Sequence, residues 1–189
     1  MSTEHSISCI SADSVMSHMP ADYEVVPIGI TQEGVWVEGV ANPAKGAELP
    51  VVKPGGEVAL SLNPQRKGLL YDVTSGETIT TIDAVFPVLH GKYGEDGTVQ
   101  GLLEMAGVPY VGPGVLASAC GMDKEYTKKL VAAVGIPVTR EVILDGAREL
   151  TEAERSHLGL PVFVKPANGG SSIGVSKVCL LYKFPSPRD

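Results

Sequence analysis

An apolar run that stops abruptly at a polar, glycine-rich segment constrains the fold more than any other feature. Residues 82–89 (IDAVFPVL) are almost continuously apolar, which is typical of a strand buried on both faces of a parallel sheet. The segment HGKYGEDG follows at 90–97, and the pattern at 98–106 predicts a helix. Ligands of open α/β sheets bind beyond the carboxyl ends of strands, so segment 90–97 is a candidate site.

The other segments predict alternating helices and strands. A helix at 7–19 would place Ile7, Ile10, Val15 and Met19 near one face. Up to about residue 121 the pattern indicates an α/β domain with a mostly parallel sheet, and we predict a second unit at 122–178 and an unrelated tail at 179–189. The predicted strands are 23–30, 35–37, 57–62, 69–73, 108–112, 136–144, 160–166 and 174–178, the further helices are 123–134 and 151–158, and 41–54 is an exposed connection.

Charge and composition exclude several classes of function. The chain has 15 Lys and Arg against 22 Asp and Glu, a net charge of −7, so we predict neither nucleic acid nor a membrane as partner. No signal-peptide pattern and no run of about 18 apolar residues occurs, which indicates a cytoplasmic protein. The three cysteines, Cys9, Cys120 and Cys179, lie far apart and do not form a metal-binding pattern.

Segment 90–97 combines ionisable groups with glycines. His90, Lys92, Glu95 and Asp96 lie among three glycines, which let a backbone turn sharply or approach a ligand closely. Asp96 can also cap the following helix, whose first N–H groups attract anions. The plainer alternative is a turn followed by a helix cap.

A second candidate is VKPANGGSSIGVSKV at 164–178. Its consecutive backbone N–H groups and hydroxyls suit phosphate binding, and Lys165 would add a positive charge. No GK[ST] follows, and the next residues predict a strand, so the segment is neither a Walker motif nor a dinucleotide fingerprint. A phosphate-covering loop between antiparallel strands is the functional interpretation, and a flexible hairpin is the alternative.

Two weaker signals come from single charged residues. Lys124 lies in the first turn of a predicted helix, where a cation is mildly unfavourable, so either a ligand role or simple solvation explains it. Glu4 lies at the N-terminus, where composition alone predicts a disordered tail.

Taken together, these segments resemble D-alanine–D-alanine ligases over residues 4–178. The family signature HGxxGEDGxxQG is matched in full by residues 90–101. The string VGPGVLASACGMDKEYTKK (111–129) resembles the stretch that joins the family's N-terminal and central domains, and GLPVFVKPANGGSSIGVSKV (159–178) resembles its ATP-binding strand and loop. The loop form NGGSSIG and the long segment 41–80 resemble actinobacterial members.

The resemblance implies an N-terminal pre-ATP-grasp domain followed by the start of an ATP-grasp domain. It implies that ATP and magnesium or manganese serve the joining of two D-alanines through an acyl phosphate, for peptidoglycan synthesis, in a homodimer. Glu4 would bind the ammonium of the first D-alanine, Ile7 and His90 would line its pocket, and Ser171 would link Glu4 to a downstream tyrosine. Lys124 and Lys165 would contact the ATP phosphates beneath a loop containing Gly170, Ser171 and Ser172.

Departures from the family pattern leave alternatives open. The family's first strand would precede Met1, Gly169 stands where many members have an acidic residue, and residues after Val178 resemble nothing in the family. The metal ligands and catalytic arginine fall in the part not matched, so we expect no metal site here and an incomplete, inactive copy. Alternatives are a D-alanine–D-lactate type ligase, or a non-catalytic module binding nucleotide or amino acid.

Overall fold

The computed structural model describes residues 4–39, 49–170 and 173–179. The chain forms two compact units, Met1–Ala119 and Cys120–Asp189, and each is described by itself. Residues 171 and 172, which belong to the predicted phosphate loop, and the tail from 180 onward lie outside the described residues.

The first unit contains short strands between helices. Its helices are α1 (His5–Ser17), α2 (Thr98–Ala106) and α3 (Val115–Met122), the last of which contains the unit boundary. Its strands are β1 (Ile28–Ile30), β2 (Trp36–Glu38), β3 (Val58–Leu60), β4 (Leu69–Asp72) and β5 (Thr78–Thr81), and a 3-10 turn spans Pro64–Arg66.

The strands of the first unit pair with their neighbours along the chain. Strand β1 pairs antiparallel with β2, and β4 pairs antiparallel with both β3 and β5. Val58 lies opposite Asp72, so the predicted hairpin at 57–73 is confirmed. Val37, Val58 and Leu70 are buried in this part of the core, and Val99, Leu103 and Ala106 are the buried apolar residues of α2.

The prediction of a long buried strand at 82–89 is wrong, because prolines limit its pairing. Val85 and Tyr110 form a parallel bridge in which the Val85 N–H donates to the Pro109 carbonyl at 2.8 Å and the Val111 N–H to the Val85 carbonyl at 2.9 Å. The next donors of a parallel ladder would be Pro87 on one side and Pro109 on the other, and neither has an N–H. Among the described residues, this bridge is the only parallel pairing. The predicted strand at 108–112 does not form beyond it.

Helix α1 packs through a polar face rather than through the predicted apolar one. Ile7 and Ile10 are 50% and 46% exposed, whereas Ser8 is buried. The predicted helix therefore forms, but its inward face was wrongly assigned. The polar face turns inward because Ser8 and Ser11 contact His90. In the connection predicted at 41–54, residues 41–48 lie outside the described part, and Pro50 is buried rather than exposed.

In its described residues, the second unit contains two helices and one antiparallel strand pair. Helix α4 is Lys124–Ala133, α5 is Glu152–Leu158, and strands β6 (Val162–Val164) and β7 (Ser176–Val178) pair antiparallel. The predicted antiparallel pairing of the strands on either side of the glycine-rich loop is thus confirmed. No strand forms at 136–144, which is described throughout, and that prediction is wrong. Pro137 lacks an N–H for a ladder, and Lys128 binds this segment instead, through the Thr139 carbonyl and the Glu141 carboxylate.

The molecule is a mixed α/β protein, as predicted, although the named strands pair antiparallel. Among the described residues, none of the helices has the length and apolar character that crossing a bilayer would need.

Candidate functional site

Segment 90–97 is held in one conformation by close backbone packing. At Gly94 a Cβ atom would lie only 2.5 Å from the Cβ atom and the carbonyl oxygen of Leu89. Gly97 has a φ of 93°, in the left-handed region that favours glycine, and occupies the N-cap position of α2. The side-chain amide of buried Gln100 donates to the Gly94 carbonyl at 2.9 Å. The segment is therefore packed against its neighbours, as a ligand-binding segment needs to be.

Two carboxylates of this segment bind its own backbone. Asp96 accepts hydrogen bonds from the N–H groups of Tyr93 (2.9 Å) and Thr98 (3.0 Å), so it bonds the first residue of α2 although Gly97, not Asp96, is the N-cap. Partial burial alone would raise the pKa of Asp96, but these hydrogen bonds together lower it below its ordinary value. Glu95 accepts from the Gly91 N–H at 2.6 Å. The first N–H groups of α2, on Thr98 and Val99, thus bond within the chain rather than to an anion.

Helix α1 binds His90 at its backbone and at its ring. The Ser8 hydroxyl accepts from the His90 N–H at 2.8 Å and donates to the Glu4 carbonyl at 3.2 Å. The Ser11 hydroxyl lies 2.9 Å from Nε2 of His90, and the Glu95 carboxylate lies 3.8 Å from Nδ1. We call Glu4, Ser8, Ser11, His90 and Glu95 the His90 cluster.

Ser8 thus joins Glu4 to His90 within the first unit. Glu4 and His90 are two of the residues predicted for a D-alanine pocket. Glu4 is only 7% exposed, so the composition-based interpretation of a disordered tail is wrong at this residue. Ile7 lies on α1 with half of its side chain exposed.

Sequence reasoning missed Ser8 and Ser11. Glu4, Ser8 and Ser11 are spaced by four and three residues, and such spacing puts side chains on one helical face. This spacing is the sequence signal for the polar face of α1.

In the second unit, two lysines and the glycine-rich loop form a pocket of about 460 Å³, called the lysine pocket. A cavity of this size accommodates a small-molecule ligand. The predicted residues Lys124, Lys165 and Gly170 line it, together with Phe163, Pro166, Gly169, Ile173 and Val175. Predicted residues Ser171 and Ser172 lie outside the described part of the chain.

The lysine pocket is built on the start of α4. Asp123 caps the helix by accepting from the N–H groups of Glu125 and Tyr126, and it forms an antiparallel bridge with Asn168. The Lys124 N–H donates to the Ala167 carbonyl at 3.0 Å, and the Thr127 N–H to the Asp123 carbonyl at 2.9 Å. Because the first four N–H groups of α4 have partners in the chain, an anion in this pocket would be bound by the lysines.

The glycine-rich loop fixes the orientation of the Lys124 side chain. Its ammonium group donates to the carbonyl oxygens of Gly169 at 2.6 Å and Ala167 at 3.4 Å. An ammonium group has three N–H donors, so one is left to reach a ligand oxygen. The pocket therefore suits the phosphates of a nucleotide.

The described residues do not supply a set of side chains that could bind a divalent metal ion. Within residues 4–39, 49–170 and 173–179, no three His, Cys, Asp or Glu side chains lie together in a way that could hold a metal ion.

Solved structures of two amino-acid ligases resemble this chain. The D-alanine-D-alanine ligase of Coxiella burnetii matches with a TM-score of 0.76 and 30% identity over 96% of this chain and 54% of that chain. VanG D-Ala:D-Ser ligase of Enterococcus faecalis matches with a TM-score of 0.69 and 34% identity over 93% and 52%. The match to these ligase structures assigns the chain to the ATP-grasp class.

Family models assign the chain more narrowly. The model described as D-ala D-ala ligase N-terminus matches residues 1–113, and the one described as D-ala D-ala ligase C-terminus matches residues 130–184. The chain belongs to the D-alanine–D-alanine ligase family.

Curated relatives from two genera agree with this assignment. A D-alanine--D-alanine ligase of Corynebacterium aurimucosum is 59% identical over 181 residues, and one of Rhodococcus erythropolis is 58% identical over 187. In both cases the match covers 94% of this chain and 51% of the relative, so the chain spans about half the length of the curated relatives it matches. Both genera are actinobacterial, as the loop form and the long segment 41–80 predicted.

Proposed function

We propose that this chain carries the pocket for the first D-alanine and part of the ATP site of a D-alanine–D-alanine ligase. The observation that carries the proposal is the lysine pocket, in which Lys124 and Lys165 line one cavity with the glycine-rich loop. Two cations at one cavity favour a polyanionic ligand, and the family makes that ligand ATP.

The first chemical step transfers phosphate to D-alanine. A carboxylate oxygen of D-alanine attacks the γ-phosphorus of ATP, the bond from that phosphorus to the bridging oxygen breaks, and D-alanyl phosphate and ADP form. Lys124 and Lys165 offset the charge on the moving phosphoryl group, and much of the rate comes from holding both reactants in line. Gly170, Ser171 and Ser172 cover the phosphates in this proposal.

The second step forms the peptide bond. The amine of a second D-alanine attacks the acyl carbon, the tetrahedral intermediate collapses, inorganic phosphate leaves, and the amine loses a proton. Throughout, Glu4 holds the ammonium of the first D-alanine by charge-assisted hydrogen bonds, and Ile7 and His90 line the pocket. Magnesium or manganese would neutralise the phosphates when bound.

The wider biology follows from the substrates. The product dipeptide serves peptidoglycan synthesis, and the need for ATP puts the reaction in the cytoplasm. We propose residues 1–121 as the substrate-side domain, which also forms a homodimer, 122–178 as the start of the ATP-grasp domain, and 179–189 as a tail, although the C-terminus family model extends into it as far as residue 184. Sedimentation equilibrium tests the dimer directly.

A different second substrate is the competing function. The match to VanG D-Ala:D-Ser ligase, at 34% identity, favours this alternative, whereas relatives at 58–59% identity carry the D-alanine--D-alanine name. Supplying D-alanine together with D-serine or D-lactate and identifying the product by mass spectrometry separates the two. A dominant D-alanyl-D-alanine product supports the proposal, and a dominant mixed product contradicts it.

D-Alanine-dependent phosphate release from Mg-ATP is the primary test. It is measured on this chain and on a version continued with the second half of the Corynebacterium aurimucosum relative. We expect release by the continued protein, and little by the chain alone because the described residues hold no metal cluster. If the continued protein folds and binds ATP but releases no phosphate, the chain is a binding module and the ligase proposal is wrong.

A further inference from the structure

His90 is contacted at both ring nitrogens, in an arrangement that family membership does not explain. The Ser11 hydroxyl lies 2.9 Å from Nε2, and Oε1 of Glu95 lies 3.8 Å from Nδ1. The other Glu95 oxygen accepts the Gly91 N–H at 2.6 Å, so the carboxylate is fixed in place. The His90 ring therefore lies between two side chains of the first unit, those of Ser11 and Glu95.

These contacts favour one tautomer of the ring. A neutral imidazole has one nitrogen that donates and one that accepts. An ionised carboxylate only accepts, so the nitrogen that faces Glu95 is the one that carries the proton. At 3.8 Å this preference is electrostatic rather than a hydrogen bond. With the proton on Nδ1, Nε2 is the acceptor, and the Ser11 hydroxyl donates to it.

The backbone of His90 is fixed by the same face of α1. Ser8 and Ser11 are three residues apart, and Ser8 accepts the His90 N–H at 2.8 Å. Ser8 therefore places the residue, and Ser11 determines how its ring is turned. Fixing a ring before a ligand arrives reduces the entropy that binding must overcome.

We propose that Ser11 is a positioning residue, whose hydroxyl fixes the orientation of the His90 ring and its Nδ1–H tautomer. The consequence for catalysis rests on the proposed function, since it requires His90 to line the D-alanine pocket. In the version continued with the second half of the Corynebacterium aurimucosum relative, we expect Ser11→Ala to raise the KM for the first D-alanine about two- to tenfold, with little change in kcat, because one more side chain must be ordered on binding.

The tautomer is measured by two-bond 1H–15N correlation spectra of the histidine rings of this chain. Spectra are recorded at about pH 8.5, where imidazole is ordinarily neutral, and His90→Gln identifies the His90 signals. We expect Nδ1 to carry the proton, and Ser11→Ala to shift the ring toward the Nε2–H form. Ser11→Thr keeps a hydroxyl and restores the original pattern. Ser14→Ala, an exposed serine of the same helix, leaves the pattern unchanged.

A proton on Nε2 in the unsubstituted chain overturns the proposal, as does an unchanged His90 pattern in Ser11→Ala. If Ser11→Ala fails to fold, the spectra of the unsubstituted chain and of Ser11→Thr still decide, because a pattern altered in Ser11→Thr counts against the hydroxyl's role. Titration with D-alanine to about 10 mM tests the pocket separately, since even weak sites fill at that concentration. The expected tautomer with no response to D-alanine supports the positioning role and contradicts the proposed pocket.

Discussion

The ammonium nitrogen of Lys124 lies 2.6 Å from the carbonyl oxygen of Gly169, which ties the start of α4 to the glycine-rich loop. The lysine thus has two tasks, since it fixes the loop and also lines the pocket that the loop covers. The bridge between Asp123 and Asn168 reinforces the connection through the backbone. The orientation of the cation is therefore set before a ligand enters, which lowers the cost of binding.

We expect Lys124→Met to weaken ATP binding by about tenfold or more, because a phosphate loses one of its two cations in the lysine pocket. Titration calorimetry on the chain measures the affinity. Lys129→Met is the matched control, because Lys129 lies on the same helix, is mostly exposed and pairs with Glu125. Equal affinities for the two variants would remove the lysine pocket from the proposed function.

Ser8→Ala should lower the free energy of unfolding by about 1–3 kcal/mol, because the N–H of His90 then loses its acceptor in a part-buried position. Urea unfolding followed by circular dichroism measures the change. Ser14→Ala, on the exposed side of α1, should stay within about 0.5 kcal/mol of the parent. A similar small effect at Ser8 would show that α1 is held by other contacts.

Replacing Gly94 and replacing Gly121 by alanine should change the free energy of unfolding in opposite directions. At Gly94 a methyl group would lie 2.5 Å from Leu89, so Gly94→Ala should destabilise the chain by about 1–3 kcal/mol through overpacking. Gly121 lies in α3 with nothing within 4 Å of its built Cβ, so Gly121→Ala should stabilise by about 0.5–1 kcal/mol through helix propensity. Thermal unfolding of both variants tests the pair, and a stable Gly94→Ala would contradict the tight packing of segment 90–97.

Acid should weaken the N-terminus of α5. The Arg148 guanidinium, helped by the Thr151 N–H, lowers the pKa of Glu154 from 4.5 to about 2. A lowered pKa stabilises the folded state fully above the ordinary value of 4.5, and the contribution is lost as pH falls through about 2. The stability difference between the parent and Glu154→Gln should therefore shrink from pH 5 toward about pH 2. Urea unfolding at several pH values measures it.

Glu152→Gln, in the same first turn of α5, is the matched control for this titration. It should show a smaller change across the same range, because the bidentate contact of Arg148 is with Glu154. If both variants lose the same stability over the same pH range, the effect comes from the general charge of the helix start.

Elements with strong local signals could be predicted from the sequence. Helix α2 matches its predicted bounds of 98–106, and α4 begins at the cap formed by Asp123, as the pattern indicated. Helix α5 has the capping box that a Thr followed three residues later by a Glu encodes. The β6–β7 pairing could also be predicted, because the glycine-rich loop lies between the two strands. In each case the information lies within a few residues of the element.

Features that depend on distant partners could not be predicted in the same way. The contact between Ser11 and His90 joins residues 79 apart, and nothing in the composition of α1 selects its polar face. The apolar run at 82–89 predicted a strand from its composition, but a strand requires donors and acceptors on both partners. The predicted site residues of the first unit were found through their motif, whereas the serines that orient them follow from the geometry.

The two prolines that stop the Val85–Tyr110 ladder have a consequence outside the folded state. Segment 82–89 is one of the most apolar stretches of the chain, and such stretches in newly made or unfolded chains stack into cross-β aggregates. Pro87 removes one N–H from every copy that would join such a stack, and Pro109 does the same in the partner segment. The residues that shorten the sheet in the native molecule therefore also protect this sequence from aggregation before it has folded.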